Sequence, residues 1–194
     1  WSYGIDETWT LLVPNTKGGA SVPLANNEKA MEHADPQFYQ IYQQMGQYWG
    51  NQPGTSGPVY VGAFVLMLFV LGLFIVKGPM KWALFAATML SVLLSWGRNF
   101  MWFTDLFLDY VPMYAKFRTV ASILVIAEFT IPLLAMLALK KVLETENFLK
   151  GTTPLLVGPA SHRLVCREVK NRSWLVLSFV LTAGMCVAFA IMPT

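Results

Sequence analysis

The chain has 194 residues, of which 55% are hydrophobic and 13% are charged, and its mean hydropathy is +0.48. A soluble domain carries about 25% charged residues, so the composition excludes an ordinary soluble domain and indicates a membrane protein. The formal net charge of +3 comes mostly from segments that flank apolar runs, and it therefore does not indicate a nucleic-acid partner.

Residues 1–58 are polar and rich in turn-forming residues, as in VPNTKGG, HADP and NQPGTSGP. We expect them to form a small extracytoplasmic cap. Within it, PQFYQIYQQMGQYWG places apolar side chains at helical spacing. They are Phe38, Ile41, Tyr42, Met45, Tyr48 and Trp49. The pattern favours a short amphipathic helix packed on the cap core or on the membrane over a surface that stacks on sugars.

Three apolar runs have about the length that an α-helix needs to cross roughly 30 Å of hydrocarbon. They are Val59–Val76, Thr119–Leu139 and Ser173–Met192. A fourth run, Trp82–Trp96, is shorter, but Lys81 can extend its charged end towards the membrane surface. The sequence therefore predicts an all-α integral membrane fold with four transmembrane helices, three within residues 59–139 and the last in residues 173–194.

Basic residues in the loops predict the orientation, because cytoplasmic loops of membrane proteins are enriched in Lys and Arg. The turn KGPMK contains two lysines, and residues 140–172 contain seven basic residues. We expect both segments to be cytoplasmic loops. Residues 1–58 and 97–118 then lie together on the outer side, in a multi-pass protein of the bacterial inner membrane.

The segment SWGRNFMWFTDLFLDYVPMYAKFRTV combines charged residues with eight aromatic rings, and we call residues 97–118 the rim. Its basic residues are Arg98, Lys116 and Arg118. We expect them on the outer side of the membrane, where basic residues are less frequent than in cytoplasmic loops. Arg offers a planar fork that suits phosphate, and Lys offers a mobile point charge. Tyr114 adds an amphipathic ring of the kind found at headgroup depth. The rim is therefore predicted to bind a polar or anionic lipid headgroup.

Two acidic residues of the rim, Asp105 and Asp109, are four residues apart and would share one face of a short helix. They could neutralise the basic residues or bind a cation. No cofactor is identified, and a divalent metal is not indicated. An aromatic belt with anchoring Lys and Arg side chains and local ion pairs explains the same pattern, so the binding and structural interpretations both stay open.

Glu128 is the one acidic residue inside the apolar run Thr119–Leu139, in the stretch ILVIAEFTIPLL. A carboxyl near the middle of a membrane is costly and usually faces a bundle interior or a water-lined cavity. Pro132 follows four residues later and has no amide hydrogen for the Glu128 carbonyl. The carboxyl and the carbonyl of Glu128 could together form an intramembrane polar site for a proton, a cation or a sugar hydroxyl. A protonated Glu128 bonded to a neighbouring helix is the simpler interpretation.

Three stretches resemble YfhO-type bacterial membrane proteins in their Bacteroidetes form. They are YWGNQPGTSGPVYVGAFVLMLFVLGLFIVKG, SVLLSWGRNFMWFTDLFLDYVPMYAKFRTV and ILVIAEFTIPLLAMLALKK. The opening WSYGIDETWTLLVPN and the final SFVLTAGMCVAFAIMP fit the same family. The resemblance covers most of residues 1–141 and is weaker over residues 144–172. Because the chain opens at Trp1 with no visible signal peptide, we expect it to be a fragment of a larger polytopic protein.

The resemblance implies a membrane glycosyltransferase of the GT-C type, which transfers a sugar from a polyprenyl-phosphate donor to a cell-envelope acceptor on the outer face. Residues 112–118 match the family's P-x-x-x-x-FR element, and by analogy this element could hold the donor phosphate. The resemblance also implies that the catalytic carboxylate, which lies in the first outer loop of such enzymes, is outside this chain. Membrane lipid and the remaining helices of the full-length protein would be its partners.

Two alternatives stay open. A transporter or flippase-like protein would use Glu128 and a helix break at Pro132 as a site near the membrane midplane, as broken helices do in transporters. A membrane assembly protein would have no small-molecule site at all.

Overall fold

A computed structural model of the chain describes residues 2–52, 59–116, 119–144 and 161–191, with side chains in the last range at residues 173–188, 190 and 191. The fold is mostly helical, as predicted. The helices are α1 (Glu28–Glu32), α2 (Tyr39–Gln44), α3 (Ala63–Ile75), α4 (Met80–Ser95), α5 (Met101–Tyr110), α6 (Leu124–Glu144) and α7 (Ser161–Ile191). Two short strands, β1 (Gly18–Pro23) and β2 (Gly46–Tyr48), pair antiparallel, so the strictly all-α prediction is wrong for the cap.

The chain divides into two compact units. The first combines Trp1–Tyr60 with Ser91–Leu124, and the second combines Val61–Leu90 with Val125–Thr194. The first unit thus contains both segments that were expected on the outer side of the membrane, the cap and the rim. The side of the membrane itself stays a prediction.

The cap consists of short helices and strands, and side-chain caps stabilise the first turns of two of its helical segments. The Asn27 side chain accepts a hydrogen bond from the Ala30 amide (3.3 Å) at the start of α1. Asp35 accepts one from the Gln37 amide (3.0 Å) ahead of α2. Strand β1 pairs with β2 through the register Gly18 to Tyr48, with an irregularity further along the pair.

The amphipathic helix expected in the cap is shorter than its apolar pattern. Helix α2 ends at Gln44, since the next residues leave the helix to pair with β1. The side chains of Phe38, Ile41 and Trp49 are 47%, 51% and 68% exposed and do not pack on the cap core, whereas Tyr42 and Tyr48 are half-buried. Packing of the same side chains on a membrane stays a prediction.

The second unit contains a hydrophobic core between α3, α6 and α7. Leu71 and Ala138 are fully buried there, and Trp174 packs against them. The rings of Phe74 and Trp174 stack with centroids 4.3 Å apart. In α4 and α6, the hydroxyls of Thr88 and Thr130 lie 2.7 Å apart and share a buried hydrogen bond.

The four predicted spans are not all supported. Among the described residues, only Val120–Glu144, with a mean hydropathy of 2.3, is long and apolar enough to cross a membrane as one straight helix. Met80–Ser95 and Gly97–Tyr110 pass the same test together, but they meet at an angle of 104°. Two further apolar helices, Ala63–Ile75 and Ser173–Ala188, are shorter.

Glycine and proline residues at both ends explain why the first apolar run, Val59–Val76, forms only a short helix. Gly62, with φ +107°, precedes α3 and keeps the four residues before Ala63 out of it. Gly78, with φ +108°, and Pro79 lie just beyond its end. The resulting 13-residue helix is about 20 Å long at 1.5 Å per residue, which is less than the hydrocarbon thickness of a bilayer.

The cytoplasmic loop expected over residues 140–172 is also shorter than predicted. Helix α6 continues to Glu144, and α7 begins at Ser161. Residues 161–172 contain no Gly or Pro, so nothing in them opposes a helix. The central part of the predicted loop lies outside the described residues.

Candidate headgroup site on the rim

The rim begins at a sharp bend that only glycine fits. Gly97 is the first residue of the helical turn Gly97–Phe100, which joins α4 to α5; it is buried and has φ +43°. A Cβ atom at this position would lie 2.5 Å from the Ser2 hydroxyl oxygen and 3.2 Å from the Ser2 Cβ. The bend therefore needs both the left-handed backbone of glycine and its missing side chain.

The N-terminal segment of the cap is hydrogen-bonded to this bend on both sides. The Tyr3 amide donates to the Ser95 carbonyl (2.8 Å), and the Asn99 side chain donates to the Tyr3 carbonyl (2.7 Å). The Arg98 amide donates to the Ser2 hydroxyl (3.1 Å). A further bond joins the Trp96 indole to the Thr8 hydroxyl (2.9 Å). These contacts between distant parts of the sequence fix the start of the rim.

A continuous row of aromatic rings follows the bend. The ring centroids of Trp96 and Phe100 are 6.0 Å apart, and those of Phe100 and Phe103 are 5.8 Å apart. The row continues from Phe103 to Phe107 at 5.1 Å and from Phe107 to Tyr114 at 5.9 Å. Each distance lies in the range of favourable aromatic contacts. The row forms one side of α5 and leaves its other side exposed.

The exposed side of α5 combines apolar and amphipathic surface. Trp102 and Tyr110 are each 78% exposed. Near the end of the helix an open, wholly apolar groove of about 310 Å³ is lined by Leu106, Phe107, Tyr110 and Val111. Exposed Trp and Tyr next to apolar side chains are characteristic of the membrane–water interface.

The charged residues predicted for the site are exposed and unpaired among the described residues. This holds for Arg98, Asp105, Asp109 and Lys116. The predicted ion pairs between acidic and basic residues of the rim are therefore absent from the part of the chain that the structure describes. The two aspartates share a face of α5 as predicted, and the described residues bring no third metal-ligating side chain to them.

The predicted basic residues do not form one compact pocket. Arg98 precedes α5, whereas Tyr114 and Lys116 follow it, and the 10-residue helix is about 15 Å long. Arg118 lies outside the described residues. The arrangement is an elongated surface with a cation near each end of an aromatic helix.

Tyr114 has an unusual environment for a polar group. Its hydroxyl oxygen is buried and has no hydrogen-bond partner among the described residues, and burial raises the pKa of the phenol. A buried hydroxyl without a partner costs about 1–3 kcal/mol. A headgroup oxygen could accept its proton only after a local displacement of the ring.

A buried carboxylate in the cap was missed by the sequence analysis. Glu7 is 1% exposed and accepts hydrogen bonds from the Gly4 amide (2.6 Å), the Asn51 amide (2.8 Å) and the Tyr48 hydroxyl. A Cβ on Gly50 would collide with a Glu7 carboxylate oxygen. Because both oxygens are already bonded within the protein, Glu7 is a structural centre that ties the N-terminus to residues 48–51.

The environment of this centre raises the pKa of Tyr48 above its ordinary value. Burial is the main cause, and the hydrogen bond to Glu7 adds to it. Next to Glu7, Asp6 pairs with Lys17 at 2.5 Å, and this hydrogen bond lowers the pKa of Asp6. No local pattern in the sequence distinguishes Glu7 from a solvated glutamate.

Glu128 lies on α6 with its side chain exposed. The expectation that it faces the interior of this bundle is therefore wrong for the described chain, where the buried face of α6 is formed by side chains such as Ala127, Ile131 and Leu134. Helix α6 continues past Pro132 without ending. A break in the helix, on which the transporter alternative depended, is not observed.

Comparison of the chain with profiles of protein families, with curated proteins and with solved structures finds no match. The resemblance to YfhO-type proteins therefore stays a prediction from the sequence.

Proposed function

We propose that this chain is a membrane-embedded part of a GT-C-like glycosyltransferase, in which the rim holds the anionic headgroup of a polyprenyl-phosphate sugar donor at the outer surface of the bacterial inner membrane. The sugar would pass to a cell-envelope acceptor. In this proposal the apolar parts of α3, α4, α6 and α7 form the four membrane crossings. The two short helices would depend on local thinning of the bilayer or on flanking residues.

The observation that carries the proposal is the 104° bend between α4 and the Gly97–Tyr110 segment. If α4 crosses a membrane, a helix turned by this angle runs nearly parallel to the membrane surface. Its exposed Trp102 and Tyr110 then lie at the depth where such rings are enriched. A lipid phosphate lies at the same depth, next to Arg98 and Lys116.

The exposed charges support an anionic ligand. Arg98 and Lys116 have no acidic partner among the described residues, so their charge is available to a phosphate. Arg and Lys near a membrane surface each contribute about 1 kcal/mol to the attraction of anionic lipid. The apolar groove at Leu106 and Val111 offers contact for a hydrocarbon chain beside that charge.

The test is binding of the purified chain in phosphatidylcholine vesicles to a fluorescent polyprenyl phosphate, with the uncharged polyprenol as the matched ligand. The chain should bind the phosphate more tightly than the polyprenol. The substitutions Lys116→Ala and Arg118→Ala should each reduce this preference several-fold and leave membrane insertion intact. Lys140→Ala, at the far end of α6, is the control.

Two outcomes contradict the proposal. Equal binding of the phosphate and the alcohol would mean that the rim is only a membrane anchor. Labelling of the rim by an impermeant reagent from the cytoplasmic side alone would place it at the wrong membrane surface.

A further inference from the structure

Between Leu124 and Leu139, the exposed side of α6 presents one acidic side chain, Glu128, on an otherwise apolar surface. The candidate span Val120–Glu144 has its midpoint at residue 132, so Glu128 lies about 6 Å from the middle at 1.5 Å per residue. Its exposed neighbours Val125 and Phe129 are 61% and 68% exposed. A carboxyl group is disfavoured at this depth unless another group binds it.

The described residues provide no such group. The Glu128 side chain makes no hydrogen bond or ion pair with any of them. In α3, α4, α6 and the part of α7 whose side chains are described, basic residues occur only near helix ends, at Lys81, Lys140 and Lys141. A second copy of the chain would bring another carboxyl group to this level and no positive charge.

The helix also offers a second acceptor at the same level. Pro132 has no amide hydrogen, so the Glu128 carbonyl lacks its usual i+4 donor. A carboxylate and a carbonyl close together suit a guanidinium or ammonium group, which donates several hydrogen bonds at once.

We propose that this face of α6 binds a transmembrane helix of different sequence that carries an Arg or Lys at the depth of Glu128. Exposed apolar side chains such as Phe129 and Met136, which is 63% exposed, provide the packing surface, and the charge pair determines the partner. This inference rests on the membrane placement in the proposed function. It does not depend on the headgroup site.

The experiment measures energy transfer between the labelled chain and synthetic transmembrane helices in phosphatidylcholine vesicles. One synthetic helix is rich in leucine with a single central arginine, and its control has leucine at that position. The chain should bind the arginine helix about tenfold more tightly than the control helix, because removing a polar interhelical partner costs on the order of that factor. Glu128→Leu should abolish the preference, whereas Glu144→Gln, at the end of α6, should retain it.

Insertion is measured first in the same vesicles by carbonate extraction and oriented circular dichroism. A chain that fails to insert contradicts the membrane placement of the proposed function, and the inference falls with it. A chain that inserts but binds both helices equally overturns this inference alone. Self-association that Glu128→Leu abolishes also overturns it, because a second copy would then occupy the face.

Discussion

The Tyr48 hydroxyl donates a hydrogen bond to the buried carboxylate of Glu7, across 41 positions of sequence. Through this contact and the neighbouring Asn51 amide, one acidic side chain connects the two ends of the cap. The same N-terminal segment is bonded to the bend at Gly97. The geometry of the rim therefore depends on a buried interaction centre in the cap.

Glu7→Gln should destabilise the cap. The amide nitrogen of glutamine would face one of the donors that now meet a carboxylate oxygen, and a buried donor without an acceptor costs about 1–3 kcal/mol. Hydrogen exchange of the Gly4 and Asn51 amides should become faster, as measured by mass spectrometry. The exposed Glu32→Gln variant is the control and should exchange like the original chain. Unchanged protection in both variants would show that Glu7 is not a structural centre.

The stability of the cap should fall in alkaline solution. The pKa of Tyr48 is raised in the folded state from its ordinary value of 10.0, so its contribution is complete below about pH 10 and is lost as the pH rises beyond that value. Protease resistance of the cap, measured between pH 8 and pH 11, should show this loss. Tyr48→Phe should remove the tyrosine-dependent part of the loss, whereas the exposed Tyr39→Phe should not. An alkaline profile that Tyr48→Phe leaves unchanged would contradict the assignment.

Gly97→Ala should disrupt the bend. The left-handed backbone costs about 1–2 kcal/mol for a residue with a side chain, and the new Cβ would also collide with Ser2. The Ser2→Gly, Gly97→Ala double variant should recover only the part caused by the collision. Thermal unfolding followed by circular dichroism measures these differences.

The control for this change is Gly184→Ala, in α7, where a Cβ meets no atom within 4 Å. It should stabilise the helix by about 0.5–1 kcal/mol. Equal effects of the two alanines would contradict the assigned role of Gly97.

The positions of the helices could largely be predicted from the sequence, because their apolar runs are long. The run Trp82–Trp96 corresponds closely to α4, Met80–Ser95. The lengths of the helices could not be predicted from the apolar runs. Gly62, with its positive φ, shortens α3, and hydropathy carries no information on backbone geometry. Local backbone geometry, more than composition, decides where a helix begins.

The candidate site was also only partly predictable from the sequence. The aromatic and charged composition of the rim was visible in the sequence, because it interrupts an apolar pattern. The burial of Glu7 was not, since its partners Tyr48 and Asn51 lie 41 and 44 residues away and no local period reports such contacts. The separation of Arg98 from Lys116 by a whole helix also required the three-dimensional structure.

Tyr114→Phe separates the structural and binding roles of the rim. Removing a buried hydroxyl that has no partner in the part of the chain that the structure describes should stabilise the chain without ligand by about 1 kcal/mol. If a lipid headgroup draws this hydroxyl into a hydrogen bond, the same change should weaken binding of polyprenyl phosphate several-fold, because the bound state alone would lose an interaction. Thermal unfolding and vesicle binding of the same preparation measure the two effects, with Tyr39→Phe, an exposed tyrosine of the cap, as the control. If Tyr114→Phe is more stable and still binds the phosphate as tightly as the original chain, Tyr114 has only a packing role. The basic side chains would then bind the headgroup without it.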